Sequence, residues 1–419
     1  MLANLAAGGA IALAREIRWP VVGLAVAVLA VAIALAGPAT LAACVLGQAA
    51  AAVLLVLIVR RATEPGTGET ARLGPLAAAW AAGMGLFVLL VFAYYAAYDV
   101  VLPVGNRALP ALAALLLAAA AAVAMGGTGL LRGDPGAAKT RHRAPGSSAT
   151  LPTAVGVVLL LAPALFWLTA PDPVGAAPAP GVRVLSYNLH FGFDTRGWSD
   201  LEGIARAIEA GGAEVVGLQE VSRGWYVNGS TDMLAWLQRR LRMPHARFAG
   251  ASDEIWGNAV LSRYPIVASE VAFLPREGVP LRRNALAVEL DLGPGRRLDV
   301  VVTHLHHVEG PEGARVRLAQ LPPLLERVAG RPATVLLGDF NAEPGSAEIA
   351  LVRGAGLIDA FVAGGGRPAD ERTWPSDRPD RRIDYIWLSG DLAASGFAAT
   401  AGTASDHRGV AVTVRPAYT

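Results

Sequence analysis

The polar residues of the C-terminal half stand where apolar runs stop. Asn188 and His190 follow RVLSYNLH, Glu220 ends VVGLQE, and His304 lies at the end of LDVVVTHL. Asp339 and Asn341 end TVLLGDFN, Asp384 sits in RRIDYIWLS, and Asp406 and His407 sit in SDHRGVAV. Carboxylates and side-chain amides are the oxygen donors that a hard divalent cation accepts. An imidazole beside a carboxylate can carry charge or a proton near neutral pH. Asp339 and Asn341, two apart, would share one face of an extended chain. Repetition of this pattern at run after run predicts one convergent polar site, because strand ends are where a rigid scaffold presents side chains.

The elements that must position these residues can be read from the same runs. Strands are expected at 183–190, 214–219, 258–262, 266–273, 285–292, 298–305, 334–338, 383–388 and 409–414, and helices near 201–210, 231–241 and 313–328. Many strands with a few helices between them predict a mixed α/β domain over 182–419: two sheets packed face to face, with helices outside.

Residues 1–181 hold 10 of the 36 Lys+Arg and 6 of the 34 Asp+Glu, so 182–419 hold 26 basic and 28 acidic residues, a net charge of −2. That balance gives no general attraction for nucleic acid, which nonspecific binders obtain from excess positive charge. The lone cysteine, Cys44, excludes an intrachain disulfide.

The first half is greasy. Five stretches, 19–35, 40–59, 76–98, 108–125 and 151–170, are long and apolar enough to be expected as membrane spans. Arg15, Arg18, Arg60, Arg61, Arg72, Arg132, Lys139, Arg141 and Arg143 fall on one side of these spans and only Arg107 on the other. The positive-inside rule then predicts a multi-pass protein of the cell membrane with its C-terminal half extracytoplasmic. The expected organisation is a transmembrane region over 1–170, a Pro/Ala-rich tether over 171–181 and a catalytic domain over 182–419.

The motifs YNLH, GLQEV, GNAVLSRYPI, THLHH, GDFNAEP, RIDYIW and SDHRGV, in this order, resemble those of the endonuclease/exonuclease/phosphatase superfamily, whose fold is DNase I-like. HFGFDTRGW, NGSTDMLAWL and WGNAVLSRYPI are similar to the C-terminal domain of the Cwh43/PGAP2-interacting-protein group, which also follows a multi-span region and is associated with remodelling lipid anchors. The resemblance implies phosphate-ester hydrolysis with Mg²⁺, Mn²⁺ being an alternative. Glu220, Asn188 and Asp406 would hold the cation. Asp339 would orient or deprotonate the attacking water, and Asn341 would hold phosphate. His407 would be partnered by Asp384, and His304 would touch the non-bridging oxygens. Asn258, His190, His306 and Arg382 are candidates to line the substrate groove.

Other readings compete at particular residues. On a strand His304 and His306 would share a face, which suits zinc. Asn228–Gly229–Ser230 matches a glycosylation sequon, a short pattern frequent by chance. For the whole chain, the favoured substrate is a lipid-linked or membrane-proximal phosphate ester, a lipid head group before DNA. An extracytoplasmic Mg²⁺-dependent nuclease and a non-enzymatic membrane scaffold that binds a phosphorylated ligand are the alternatives.

Overall fold

The computed structural model describes residues 180–417 without a break, together with 73–100, 171–176 and isolated positions at 50, 112, 113, 115 and 116. The chain divides into two compact units. Helix α1 (Leu73–Asp99), which belongs to the first unit as far as Ala97, overlaps the third expected span. The side chains described within it run from 81 to 96. No helix among the described residues is long and apolar enough to cross a membrane. The other four expected spans lie outside the described residues, apart from the isolated positions, so the multi-span expectation finds no support here.

The second unit contains Pro171–Thr419 and the expected two-sheet domain. Its strands are β1 (Val182–Asn188), β2 (Val215–Ser222), β3 (His245–Gly250), β4 (Trp256–Ser262), β5 (Ile266–Phe273), β6 (Asn284–Asp291), β7 (Arg297–His304), β8 (Thr334–Asp339), β9 (Ile358–Asp359), β10 (Asp384–Leu388), β11 (Leu392–Ala399) and β12 (Val410–Pro416). One sheet runs β11-β12-β1-β2-β4-β3 and the other β5-β6-β7-β8-β10-β9. Each has a single parallel pair at its centre, β1–β2 or β7–β8, with antiparallel neighbours on both sides. The second sheet is continuous in sequence, whereas the first takes strands from both ends of the unit, with Val182 paired to Val414.

Alternation along the central strands sorts the core into three layers. Val184, Val300, Val302, Val335, Leu337 and Ile386 face inward between the sheets. Leu185, Tyr187, Val216 and Leu218 point outward against α2 (Leu201–Ala210) and α3 (Met233–Arg240), through Ile204, Ile208, Met233 and Leu237. On the opposite side Val301, Leu336, Tyr385 and Trp387 pack on α4 (Gly310–Leu325) and α5 (Ala347–Gly354). Burial on both faces explains why these strands read as continuous apolar runs.

The segment expected as an extended tether is fastened to this unit over 171–176. The Val174 N–H donates to the Arg242 carbonyl at 2.8 Å, and the Arg242 and Arg263 guanidiniums donate to the Asp172 and Val174 carbonyls at 2.7 and 2.9 Å.

Gly338 brings the two central strands of the second sheet together. It has φ +153°, and a Cβ there would lie 2.0 Å from the Thr303 carbonyl oxygen. Gly338→Ala must push β7 and β8 apart beside Asp339. We expect it to lower unfolding free energy by about 1–3 kcal/mol in denaturant melts; an unchanged midpoint would refute this account of the glycine.

Candidate active site

The carboxyl ends of the two parallel pairs meet at one place. His304 and Asp339 lie opposite each other at the ends of β7 and β8, and Asp384 lies opposite Asp339 at the start of β10. From the other sheet, Asn188 ends β1, and Glu220 occupies a bulge in β2 between Leu218 and Val221 with φ +55°. A bulge of this kind re-aims a side chain that regular pleating would send elsewhere. His407 and Asp406 arrive on the loop before β12, tied down where the Ser405 hydroxyl donates to the Asn188 carbonyl at 2.7 Å.

Asp339, 1% exposed, is the centre of the site. Its Oδ2 accepts from Asn188 Nδ2 at 3.0 Å and lies 3.4 Å from His304 Nε2 and 3.7 Å from His407 Nε2. Its Oδ1 accepts the Asn341 backbone N–H at 2.9 Å. His407 Nδ1 donates to Asp384 Oδ2 at 3.0 Å. Burial alone would lower the His407 pKa, but Asp384 and Asp339 outweigh it and push it up to about 10. Burial holds Asp339 up at about 6 although the His407 charge pulls the other way. His304 is driven well below the ordinary imidazole range by burial and then by the adjacent Arg283. Glu220, 4.0 Å from His304 Nε2, is pushed up to about 8 by burial and by the charges of Asp406 and Asp339.

These charges indicate what a cation would find. Glu220 and Asp406 are carboxylates near enough for the charge of one to disfavour the charge of the other. The Asn188 amide oxygen, which accepts the His190 N–H at 3.1 Å, is a further oxygen donor at the end of β1. That donor set fits a hard, oxygen-liganded dication. Asp339, Asp384 and His407 also offer atoms within 4.8 Å of one another. There, however, His407 already gives its Nδ1 proton to Asp384 at 3.0 Å, and a cation would have to displace a proton to use the ring.

The structure places the remaining candidates differently. His190, with φ +44°, lies at the mouth, its Nδ1 donating to the Phe193 carbonyl at 3.1 Å and lying 3.7 Å from Asp406. Asn341 has φ +49° and donates its side-chain amide to the Leu305 carbonyl at 3.2 Å, so it stands in a turn and not on an extended face shared with Asp339. Asn258 is buried and donates to Asn284 Oδ1 at 2.9 Å, linking the two sheets. Arg382 is not a groove residue: it is buried, paired with Asp359 and stacked on Phe361 and Tyr385 at 4.5 and 4.6 Å. Nor does His306 border a groove. It is buried against His307, and its backbone N–H donates to Gln320 Oε1 at 3.0 Å, because the chain leaves β7 at His304 and the shared-face spacing ends there. The zinc reading loses its geometry with it. Asn228 is buried and donates to the Phe191 carbonyl at 3.2 Å, so its sequon is not presented to solvent.

Sequence reasoning passed over Arg283 and Trp374. Arg283 donates to His304 Nδ1 at 2.8 Å, and Trp374 Nε1 donates to Asp406 Oδ2 at 3.2 Å. The tandem Arg282–Arg283 at the head of an apolar strand was the available signal for the first. A wall of stacked rings, Phe191 on Trp225 at 5.1 Å and Trp225 on Trp256 at 6.1 Å, runs up to His304.

The description "Endonuclease/Exonuclease/phosphatase family" matches residues 185–407, more than half of the chain and every residue of this cluster. The chain belongs to that family. It is 28% identical over 227 residues to the uncharacterized protein YbhP of Escherichia coli, covering 51% of this chain and 87% of that protein. It is also 28% identical over 208 residues to the protein cwh43 of Schizosaccharomyces pombe, covering 48% of this chain but 20% of that protein. Among solved structures, the family member from Beutenbergia cavernae is 27% identical with a TM-score of 0.50, covering 57% of this chain and 72% of that one. The matched residues thus run through the two-sheet unit and take in the strand ends described above.

The His407–Asp384 pair can be tested directly. A raised imidazole pKa contributes stability that is fully present below the ordinary range and is lost as pH rises through about 10. In Asp384→Asn, His407 should titrate far below its value in the parent protein, read by NMR of the imidazole in the cation-free protein. Titration still near 10 would mean that Asp384 is not the cause.

Proposed function

We propose that this chain hydrolyses a phosphate ester with the help of a divalent cation, Mg²⁺ or in its place Mn²⁺, and that its substrate is lipid-linked or membrane-proximal. The observation that carries the reading is the meeting at Asp339 of an amide, two imidazoles of opposite character and a nearby acid cluster. Glu220, Asn188 and Asp406 are the residues that would hold the cation, which when bound supplies charge neutralisation at the phosphoryl oxygens.

The chain's own groups divide the remaining work. Asp339, ionised at neutral pH, orients the attacking water and accepts its proton. His407, kept charged by Asp384, contacts the phosphoryl oxygens where negative charge grows. His304 offers a neutral Nε2–H to the same centre, and Asn341 borders it.

Family membership supports phosphoester hydrolysis. The lipid preference rests on the net charge of −2 over 182–419, the similarity to part of cwh43, and a first half whose apolar stretches would anchor the enzyme beside lipid head groups at high effective concentration. In this reading the protein is a multi-pass membrane protein with the hydrolase on the extracytoplasmic side.

The purified full chain should hydrolyse phospholipid or lipid-linked phosphate substrates with Mg²⁺ and stop on adding EDTA. Asp339→Asn should lower kcat by about 10²–10⁴-fold. Rapid cleavage of plasmid DNA with no lipid turnover would overturn the lipid preference in favour of a nuclease. Function in cells undiminished by Asp339→Asn would favour the scaffold.

Cation binding should also release a proton. Glu220 titrates at about 8 in the cation-free protein, so at pH 7 a binding cation displaces its proton. Mg²⁺ affinity should therefore rise with pH up to about 8 and then level. Calorimetry in two buffers of different ionisation enthalpy reads the release, and the absence of any would detach Glu220 from the cation.

A further inference from the structure

Two histidines point the same atom, Nε2, at the same carboxylate oxygen, and they are held there by opposite partners. His407 gives its Nδ1 proton to the Asp384 carboxylate at 3.0 Å. His304 has Arg283 in that position, with guanidinium NH1 2.8 Å from Nδ1. A guanidinium has five donors, no acceptor and no accessible neutral form in proteins. Its contact therefore obliges His304 Nδ1 to accept, which leaves the ring's one proton on Nε2. That Nε2 lies 3.4 Å from Asp339 Oδ2 and 4.0 Å from Glu220 Oε1, at the centre of the acid cluster.

Arg283 is built to stay where it is. It is 2% exposed and immediately precedes Asn284, the first residue of β6. Asn284 accepts from Asn258 Nδ2 at 2.9 Å and gives its own amide to the Gly250 carbonyl at 2.9 Å, so that the root of the arginine is clamped between the two sheets. The guanidinium plane lies over the Trp256 ring at 5.3 Å, and NH2 reaches His307 Nδ1 at 3.3 Å. A lysine has no planar fork to keep both the ring contact and two imidazole nitrogens in register.

We propose that Arg283 is a positioning residue that holds His304 in its Nε2–H tautomer and aims that donor into the acid cluster. The two histidines are thereby assigned different work: one is made a cation by an anion, and the other is made a fixed neutral donor by a cation. A proton placed on His304 Nδ1 would sit against Arg283, so His304 does not shuttle protons. It donates one hydrogen bond, in one direction. The catalytic consequence rests on the phosphoesterase reading above, but the tautomer does not.

The test separates the two. The full chain has seven histidines, few enough for selective ¹⁵N-imidazole labelling, with His304→Gln and His407→Gln used to assign the two resonances. In the cation-free parent, two-bond ¹⁵N–¹H correlations should show His304 protonated on Nε2 only. Arg283→Met removes the donors but keeps an apolar stem. It should give a mixed or Nδ1–H tautomer at His304 while the His407 pattern stays unchanged, the latter showing that the site still folds. Arg283→Lys, which keeps the charge and one donor nitrogen but not the fork, should retain part of the Nε2–H preference. With bis(p-nitrophenyl) phosphate and Mg²⁺, Arg283→Met should lose on the order of 10²-fold in kcat with a much smaller change in KM. An Nδ1–H tautomer in the parent, or an Nε2–H tautomer that survives Arg283→Met, would overturn the proposal. The predicted tautomers in a chain that hydrolyses no phosphate ester would uphold the positioning role and sink the phosphoesterase reading.

Discussion

A carboxylate removed almost completely from water must be matched by donors, or it will give up its charge. Asp339 is matched from both sheets at once. Asn188 reaches it from the end of β1, His304 from the end of β7 and His407 from the loop before β12, while Asn341 closes the turn behind it. No single sheet supplies this set, so the sheets must dock in one register for the charge to be tolerated. The inward layer of Val184, Val302, Val335 and Leu337 provides that docking, and Gly338 removes the one side chain that would hold β8 away from β7. Core and site are in this sense one constraint: a shift between the sheets would strand a buried acid.

The electrostatics follow from the same arrangement. Around one carboxylate the fold gathers an imidazole pinned by an acid, an imidazole pinned by a guanidinium, and two further acids with only a little solvent. Groups of the same chemical type therefore take different charge states within a few ångströms of one another, which is how one pocket can hold both a neutral donor and a charged clamp.

Much of the site was legible because its residues lie where apolar runs begin or end, and the edge of an apolar run is the edge of a strand. Asn188, Glu220, His304, Asp339, Asp384 and His407 all lie at or beside such ends. Arg382 and His306 broke the rule for identifiable reasons. Arg382 found an acid and two rings inside the domain, and His306 lies beyond the end of β7, where strand alternation no longer applies. Asn341 departs from the expected shape, since a left-handed residue undoes the extended spacing from Asp339. Strands β3 and β11 escaped notice because HARFAG and LAASGFAA are polar or small where strands are expected to be branched and apolar. Helix α5 is short and amphipathic, with a serine cap that only the structure makes evident. For Arg283 the tandem arginines mark a position but not a role, because the role is set by an imidazole 21 positions away.

The pairing of Val182 with Val414 means that this domain enters and leaves its first sheet through neighbouring strands. A unit whose ends lie side by side needs only a small opening in another chain to be accepted as a graft, and the graft need not pry its host apart. A hydrolase module built this way can travel between proteins as a single cassette, carrying the docked sheets and their shared acid intact.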